Sequence, residues 1–195
     1  LNEAINPNPG FDIVIGNPPY IQLQKNGGSL SKELEGQNFK TFERTGDIYS
    51  LFYEKGWQLL IKKGVLCYIT SNKWMRAGYG KSTRKFFAEN TNPLILIDFA
   101  GQKIFESATV DTNILMFSKD KNRQQTIACT VREKVLNNLS VYVKQHANIC
   151  NFCNDESWVV LNEIEQSIKT KIEAIGTPLK EWNINIYRGI LTGYN

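Results

Sequence analysis

Apolar positions along the chain gather into short runs, each closed off by glycine, proline or a cluster of charges. The first, Phe11-Asp12-Ile13-Val14-Ile15, lies between Gly10 and Gly16 and predicts a buried strand. Ile48, Leu51, Phe52, Leu59 and Leu60 then recur at helical spacing, and Gly64 follows two lysines where a helix should stop; a helix of about four turns is expected. Val65 to Thr70 reads as a second buried strand, so strand, helix and strand form a right-handed parallel crossover. A helix with Phe86 and Phe87 facing inward and Lys81, Arg84 and Lys85 facing out comes next. Strands at Leu94–Phe99 and Thr112–Phe117 are separated by only about a dozen residues, too few for a helical crossover, which implies an antiparallel pair. The charged turn Lys119–Arg123 predicts the end of the sheet. Beyond it, Val131, Val135, Leu136 and Leu139 suggest a short helix. Ser157 can cap an amphipathic helix carrying Leu161, Ile164, Ile168, Ile172 and Ile175 and stopped by Gly176.

Composition narrows the class. With 195 residues and 42% hydrophobic content the chain has material for one domain and a portion of another. No run approaches the roughly 20 apolar residues of a membrane helix, and no basic-then-apolar leader opens the sequence, so a cytoplasmic protein with no membrane partner is expected. The net charge of +4 is a modest basic excess, compatible with a polyanionic partner. Cys67, Cys129, Cys150 and Cys153 make no disulfide framework in a chain of this size. His146, Cys150 and Cys153, with Cys129, could supply four zinc ligands, but a second closely spaced pair is missing; free thiols and no metal are the expectation. His146 is the only histidine, which leaves histidine-based triads without support.

The candidate chemistry sits where the first strand ends, at Asn17-Pro18-Pro19-Tyr20. Two successive prolines fix the backbone and remove two N–H donors, leaving carbonyls free to face a ligand. Asn17 adds an amide oxygen and an NH2 group, and Tyr20 a flat ring with a polar tip. An Asn-Pro-Pro turn closing a strand is also ordinary globular structure. Placed after an apolar strand, these four residues resemble the catalytic motif of amino-methyltransferases that use S-adenosylmethionine, chiefly the adenine-N6 DNA methyltransferases. The resemblance implies that the Asn17 side-chain oxygen and the Pro18 carbonyl each hold one hydrogen of an exocyclic amine, turning its lone pair toward the methyl donor. It further implies a target base flipped out of double-stranded DNA and stacked on Tyr20. Asn17 and Pro19 would also border the S-adenosylmethionine.

Other stretches extend the resemblance. Gly46-Asp47-Ile48-Tyr49-Ser50-Leu51-Phe52 is similar to the family segment whose aromatic residue, here Phe52, packs on the cofactor's adenine; core packing alone would also explain an apolar Phe52. Polar Ile21 to Thr45, with Gly27-Gly28-Ser29, corresponds to a region over the family's active site and reads either as a lid or DNA-contacting loop or as an ordinary disordered one. Gly101 to Val110 resembles the loop whose aromatic residue, here Phe105, packs on the flipped base opposite Tyr20; a phenylalanine covering the core edge fits there too. The tail from Gly176 to Asn195 resembles the opening of the target-recognition domain in type IIG restriction-modification enzymes.

The resemblance implies an α/β fold, a partial Rossmann-like S-adenosylmethionine-dependent methyltransferase sheet with a reversed strand near its edge, followed by a helical connector. Residues 1–123 would be the C-terminal half of the catalytic domain and 124–195 the connector and start of target recognition. The family's Gly-rich cofactor turn does not precede residue 11, so the chain reads as a piece whose cofactor site is completed by an upstream part of the same polypeptide. The expected activity is site-specific adenine methylation in a restriction-modification system. A protein-glutamine or ribosomal-RNA N-methyltransferase, and a catalytically inactive DNA-binding piece, are the alternatives.

Overall fold

The computed structural model describes residues 10–102, 104–105, 110–132 and 138–185, Lys180 by its backbone alone. Six strands form one mixed sheet: β1 (Phe11–Gly16), β2 (Leu60–Ser71), β3 (Asn92–Asp98), β4 (Thr112–Ser118), β5 (Thr126–Thr130) and β6 (Asn148–Cys150), in the order β1-β2-β4-β3-β5-β6. The α-helices among the described residues are α1 (Ser29–Glu35), α2 (Ile48–Leu59), α3 (Lys81–Asn90), α4 (Leu139–His146) and α5 (Glu163–Ile175), with short 3-10 turns between elements.

The predicted crossover is present: α2 links β1 to β2, which pair in parallel with Ile13 opposite Val65 and Gly16 opposite Tyr68. Two strands are reversed: β4, antiparallel to both β2 and β3, and the edge strand β6, antiparallel to β5. β4, the reversed strand expected from the sequence, lies inside the sheet because β5 and β6 add two strands beyond β3. The charged turn at Lys119–Arg123 therefore does not end the sheet. β5 pairs in parallel with β3, and Val131 N–H donates to the Asp98 carbonyl at 2.8 Å just past its end.

Alternation along the strands separates two cores. Leu66, Tyr68, Leu96, Leu115, Phe117 and Ala128 face one side, packed with Tyr49 and Tyr53 of α2, Phe86 and Phe87 of α3, and Trp74 and Trp158. Ile97, Cys129 and Val131 face the other with Tyr142 of α4. β1 is not the buried strand expected: on that second face its Ile13 and Ile15 are 69% and 78% exposed, because the helix there packs farther along the sheet.

Several local expectations change. α2 ends at Leu59 rather than near Gly64, because main-chain bonds of Lys63 and Gly64 with Lys119 draw residues 60–64 into β2; Lys63 takes a left-handed φ of 65° at the resulting irregularity. Arg84 does not face out with the other basic residues of α3. It is buried, and donates to the carbonyls of Trp74 (2.6 Å), Ala77 (2.9 Å) and Asp155 (2.9 Å). The segment 21–45 is no featureless loop. Leu23 is fully buried, α1 lies within it, and buried Glu54 accepts bonds from the Thr41 N–H (2.9 Å) and hydroxyl (3.1 Å).

Ser157 does not cap α5. Asn162 does, in a reciprocal box with Glu165 that satisfies the N–H groups of both residues. Leu161 precedes that helix. Of the residues expected in a short helix, Val131 follows β5 and Leu139 opens α4, which Asn138 caps through the Val141 N–H, while Val135 and Leu136 lie outside the described residues. The chain divides into two compact units, the first ending at Leu161 and the second running from Asn162. The tail expectation falls partly on 186–195, outside the described residues. No described helix is long and apolar enough to cross a membrane.

Candidate active site

Asn17 to Tyr20 leave the C-terminal end of β1, one strand over from the C-terminal end of β2. Pro18 is buried and fixes the corner, while Asn17 and Pro19 are exposed. Tyr20 folds back over the corner. Its hydroxyl donates to Asn17 Oδ1 at 2.8 Å and lies 3.3 Å from the Ile69 carbonyl of β2. The ring meets Tyr49 of α2 edge-on, with centroids 6.3 Å apart. Burial, and secondarily the Asp47 carboxylate, push the Tyr20 hydroxyl pKa up, so the hydroxyl stays protonated and acts as a donor.

Asp47, immediately before α2, lies close to this corner. Its own carboxyl is pushed up by burial, against the main-chain N–H groups of Ile21, Ile48 and Tyr49, which pull it down. Beneath them Tyr49 is fully buried, and desolvation drives its hydroxyl pKa far above the ordinary range. Phe52 lies on α2 one turn beyond Tyr49, 38% exposed. Phe105 is half-buried between β3 and β4. The structure thus joins Asn17 to Tyr20 directly, and among the described residues no ring contact joins Phe52 or Phe105 to them.

A second polar group at the same strand ends is one that the sequence pattern did not suggest. Asp98, fully buried at the end of β3, accepts from Asn72 Nδ2 (2.8 Å), the Ala100 N–H (3.0 Å) and Arg76 (2.8 Å). It braces the segment after β2 against the turn that starts toward Phe105, where Ala100 and Gly101 adopt φ of 44° and 83°. The available signal was an aspartate closing an otherwise apolar strand, where an unpaired buried charge would be prohibitive. Neighbouring Asn113 accepts from Thr70 (3.0 Å) and Trp74 Nε1 (3.3 Å), so polar satisfaction at this edge is built largely from side chains.

The cysteines and His146 do not converge on a metal site: among the described residues no group of three or more His, Cys, Asp or Glu side chains is arranged to hold an ion. His146 stacks on Tyr142, with centroids 4.2 Å apart, and Cys129 is buried with its thiol pushed up to about 11 by desolvation.

Comparison with known proteins places this geometry. The chain is 29% identical to the type II restriction enzyme and methyltransferase RM.Eco57I of Escherichia coli, over 98% of this chain and 20% of that protein. It therefore spans about a fifth of that relative's length. Among solved structures, the type I restriction-modification methyltransferase subunit of Streptococcus thermophilus superposes with a TM-score of 0.56 at 16% identity, covering 74% of this chain and 35% of the other. A Listeria monocytogenes protein assigned to the class I S-adenosylmethionine-dependent methyltransferases superposes at 0.52 and 18% identity, covering 70% and 41%. At these identities the likeness shows the fold, that of S-adenosylmethionine-dependent methyltransferases. The family described as Eco57I restriction-modification methylase matches residues 2–105, a span that contains β1, the Asn17–Tyr20 corner, α2 and β2 and exceeds half of the chain, and the chain belongs to that family.

Proposed function

We propose that this chain carries the catalytic corner of an adenine-N6-specific DNA methyltransferase of a restriction-modification system, with type IIG enzymes as its kind. The observation that supports this most is the Asn17–Tyr20 corner itself: an exposed carboxamide at a strand's C-terminal end, its oxygen 2.8 Å from the hydroxyl of an aromatic residue, within a restriction-modification methylase. The substrate is adenine in double-stranded DNA, flipped out of the helix because its amino group is unreachable in the stack. One amino hydrogen goes to Asn17 Oδ1 and the other to the Pro18 carbonyl. That pair of acceptors pulls electron density back onto the nitrogen and orients its lone pair, so the contribution is positioning and electrostatics. Tyr20 and Phe105 offer ring faces to the base, each worth about 1–3 kcal/mol by stacking.

The residues present fit part of a cofactor site. Phe52, exposed one turn from Tyr49, offers a flat apolar face for the adenine of S-adenosylmethionine, and Asn17 and Pro19 border the donor's position. When bound, the cofactor supplies an electrophilic methyl group. α5 and the turn after it are proposed as the connector toward a target-recognition domain, in keeping with the unit boundary at Leu161.

Asn17→Ala in the complete enzyme tests this reading. Single-turnover transfer to duplex DNA should fall at least about 100-fold while DNA affinity changes little, because the lost bond is made chiefly in the transition state. Transfer surviving within about threefold would remove Asn17 from the chemistry.

A further inference from the structure

Stacking uses only the ring of Tyr20, yet in this structure the most specific contact of that residue is made by its hydroxyl. It donates to Asn17 Oδ1 at 2.8 Å across an i, i+3 corner held by Pro18, with the Ile69 carbonyl of β2 a more distant neighbour at 3.3 Å. We propose that the Tyr20 hydroxyl is a positioning group for Asn17: it selects the carboxamide orientation in which the oxygen, and not the NH2, belongs to the corner. The inference rests on the methyltransferase reading above and deepens it.

The need for such a group follows from the chemistry of an amide. Its two ends are nearly isosteric, but one accepts and the other donates. An adenine amine offers two hydrogens and needs acceptors. A flipped carboxamide would present hydrogens to hydrogens and strand both. Asn17 is exposed, and no other hydrogen bond to its side chain is formed among the described residues. The hydroxyl has a single hydrogen, and Asn17 Oδ1 at 2.8 Å is a nearer acceptor for it than the Ile69 carbonyl at 3.3 Å; that donation is what favours the oxygen over the NH2 in this position. Tyr20 is suited to the task because its ring is pinned edge-on against fully buried Tyr49, and because burial keeps the hydroxyl protonated. An amide oxygen has two lone pairs, so one can keep the Tyr20 hydrogen bond while the other receives the base.

A carboxylate has no wrong orientation, since both of its oxygens accept, and this separates positioning from stacking. In the complete enzyme, single-turnover transfer with labelled cofactor would be measured for the parent, Tyr20→Phe, Asn17→Asp and the double variant, alongside 2-aminopurine fluorescence at the target site. Tyr20→Phe keeps the ring, so base capture should be unchanged while the transfer rate drops about 5- to 20-fold. In the Asn17→Asp background the same Tyr20→Phe change should cost less than about twofold. Equal losses in both backgrounds, or no loss in the first, would overturn the positioning role. Single-turnover labelling reads rates several orders of magnitude below the parent's, so a slow Asn17→Asp enzyme still decides the cycle. The two readings fail separately: an active Asn17→Ala enzyme sinks the catalytic reading, whereas an inactive one with an undiminished Tyr20→Phe rate sinks only this inference.

Discussion

Asp47 turns the chain into α2 with one carboxyl oxygen, Oδ1, buried and without a hydrogen-bond partner. Burial raises its folded-state pKa above the ordinary value of 3.8. The ionised form is thus less favourable folded than unfolded. Below 3.8 both states are protonated and there is no cost; as pH rises through the raised folded value the cost develops fully. Asp47→Asn should therefore gain stability relative to the parent at pH 7 and lose that advantage toward pH 4, read as the difference in urea midpoints. A difference independent of pH would mean that Asp47 is not destabilised by its charge. Asp98 is the contrasting case. Also buried, it has three donors around its carboxylate, and its role is to brace rather than to strain.

Between elements, α2 approaches β2 closely at Gly56. A Cβ on Gly56 would run into Leu66 Cδ1 and stand 2.8 Å from the Tyr68 hydroxyl. Replacing a mid-helix glycine with alanine ordinarily stabilises by about 0.5–1 kcal/mol. Overpacking a tight core costs about 1–3 kcal/mol, so the second effect should prevail here. Gly56→Ala is expected to lower stability by about 1–2 kcal/mol in chemical denaturation. A gain would mean that helix and sheet are less tightly apposed than the geometry states. Such a shift would also reach the site, because α2 carries Tyr49, the residue that pins Tyr20.

The whole sheet is unevenly covered. One face is closed by α2, α3 and the aromatic stretch at Phe152 and Trp158, while on the other α4 packs over β3 and β5 and leaves Phe11, Ile13 and Ile15 of β1 exposed. An apolar strand in this state is prone to association. The 195-residue chain by itself should therefore self-associate in sedimentation velocity, and an Ile13→Lys, Ile15→Lys variant should shift it toward monomer. Identical sedimentation of the two would show that β1 is not the contact.

How far the sequence reached depended on the range of the interactions involved. β1, α2, the core of β2, α3, β3 and β4 were legible because period-2 and period-3.6 apolar patterns are local, and glycine and proline punctuate them. The corner at Asn17 was legible for the same reason, since two prolines constrain a backbone wherever they occur. The longer-range features were not. Lys63 and Gly64 belong to β2 because Lys119, more than fifty residues away, hydrogen-bonds there; β5 joins the sheet because β3 presents an edge; and Arg84 turns inward because carbonyls from two segments, Trp74 with Ala77 and the distant Asp155, meet it. The sequence by itself determined the order β1, α2, β2, α3, β3, β4, the residue types at the corner and their resemblance to a methyltransferase motif. Only the tertiary structure decided that Asp98 binds Arg76 and that the Tyr20 hydroxyl faces Asn17, because a buried polar group is stable only where its partners converge, and that convergence is a property of the packed chain.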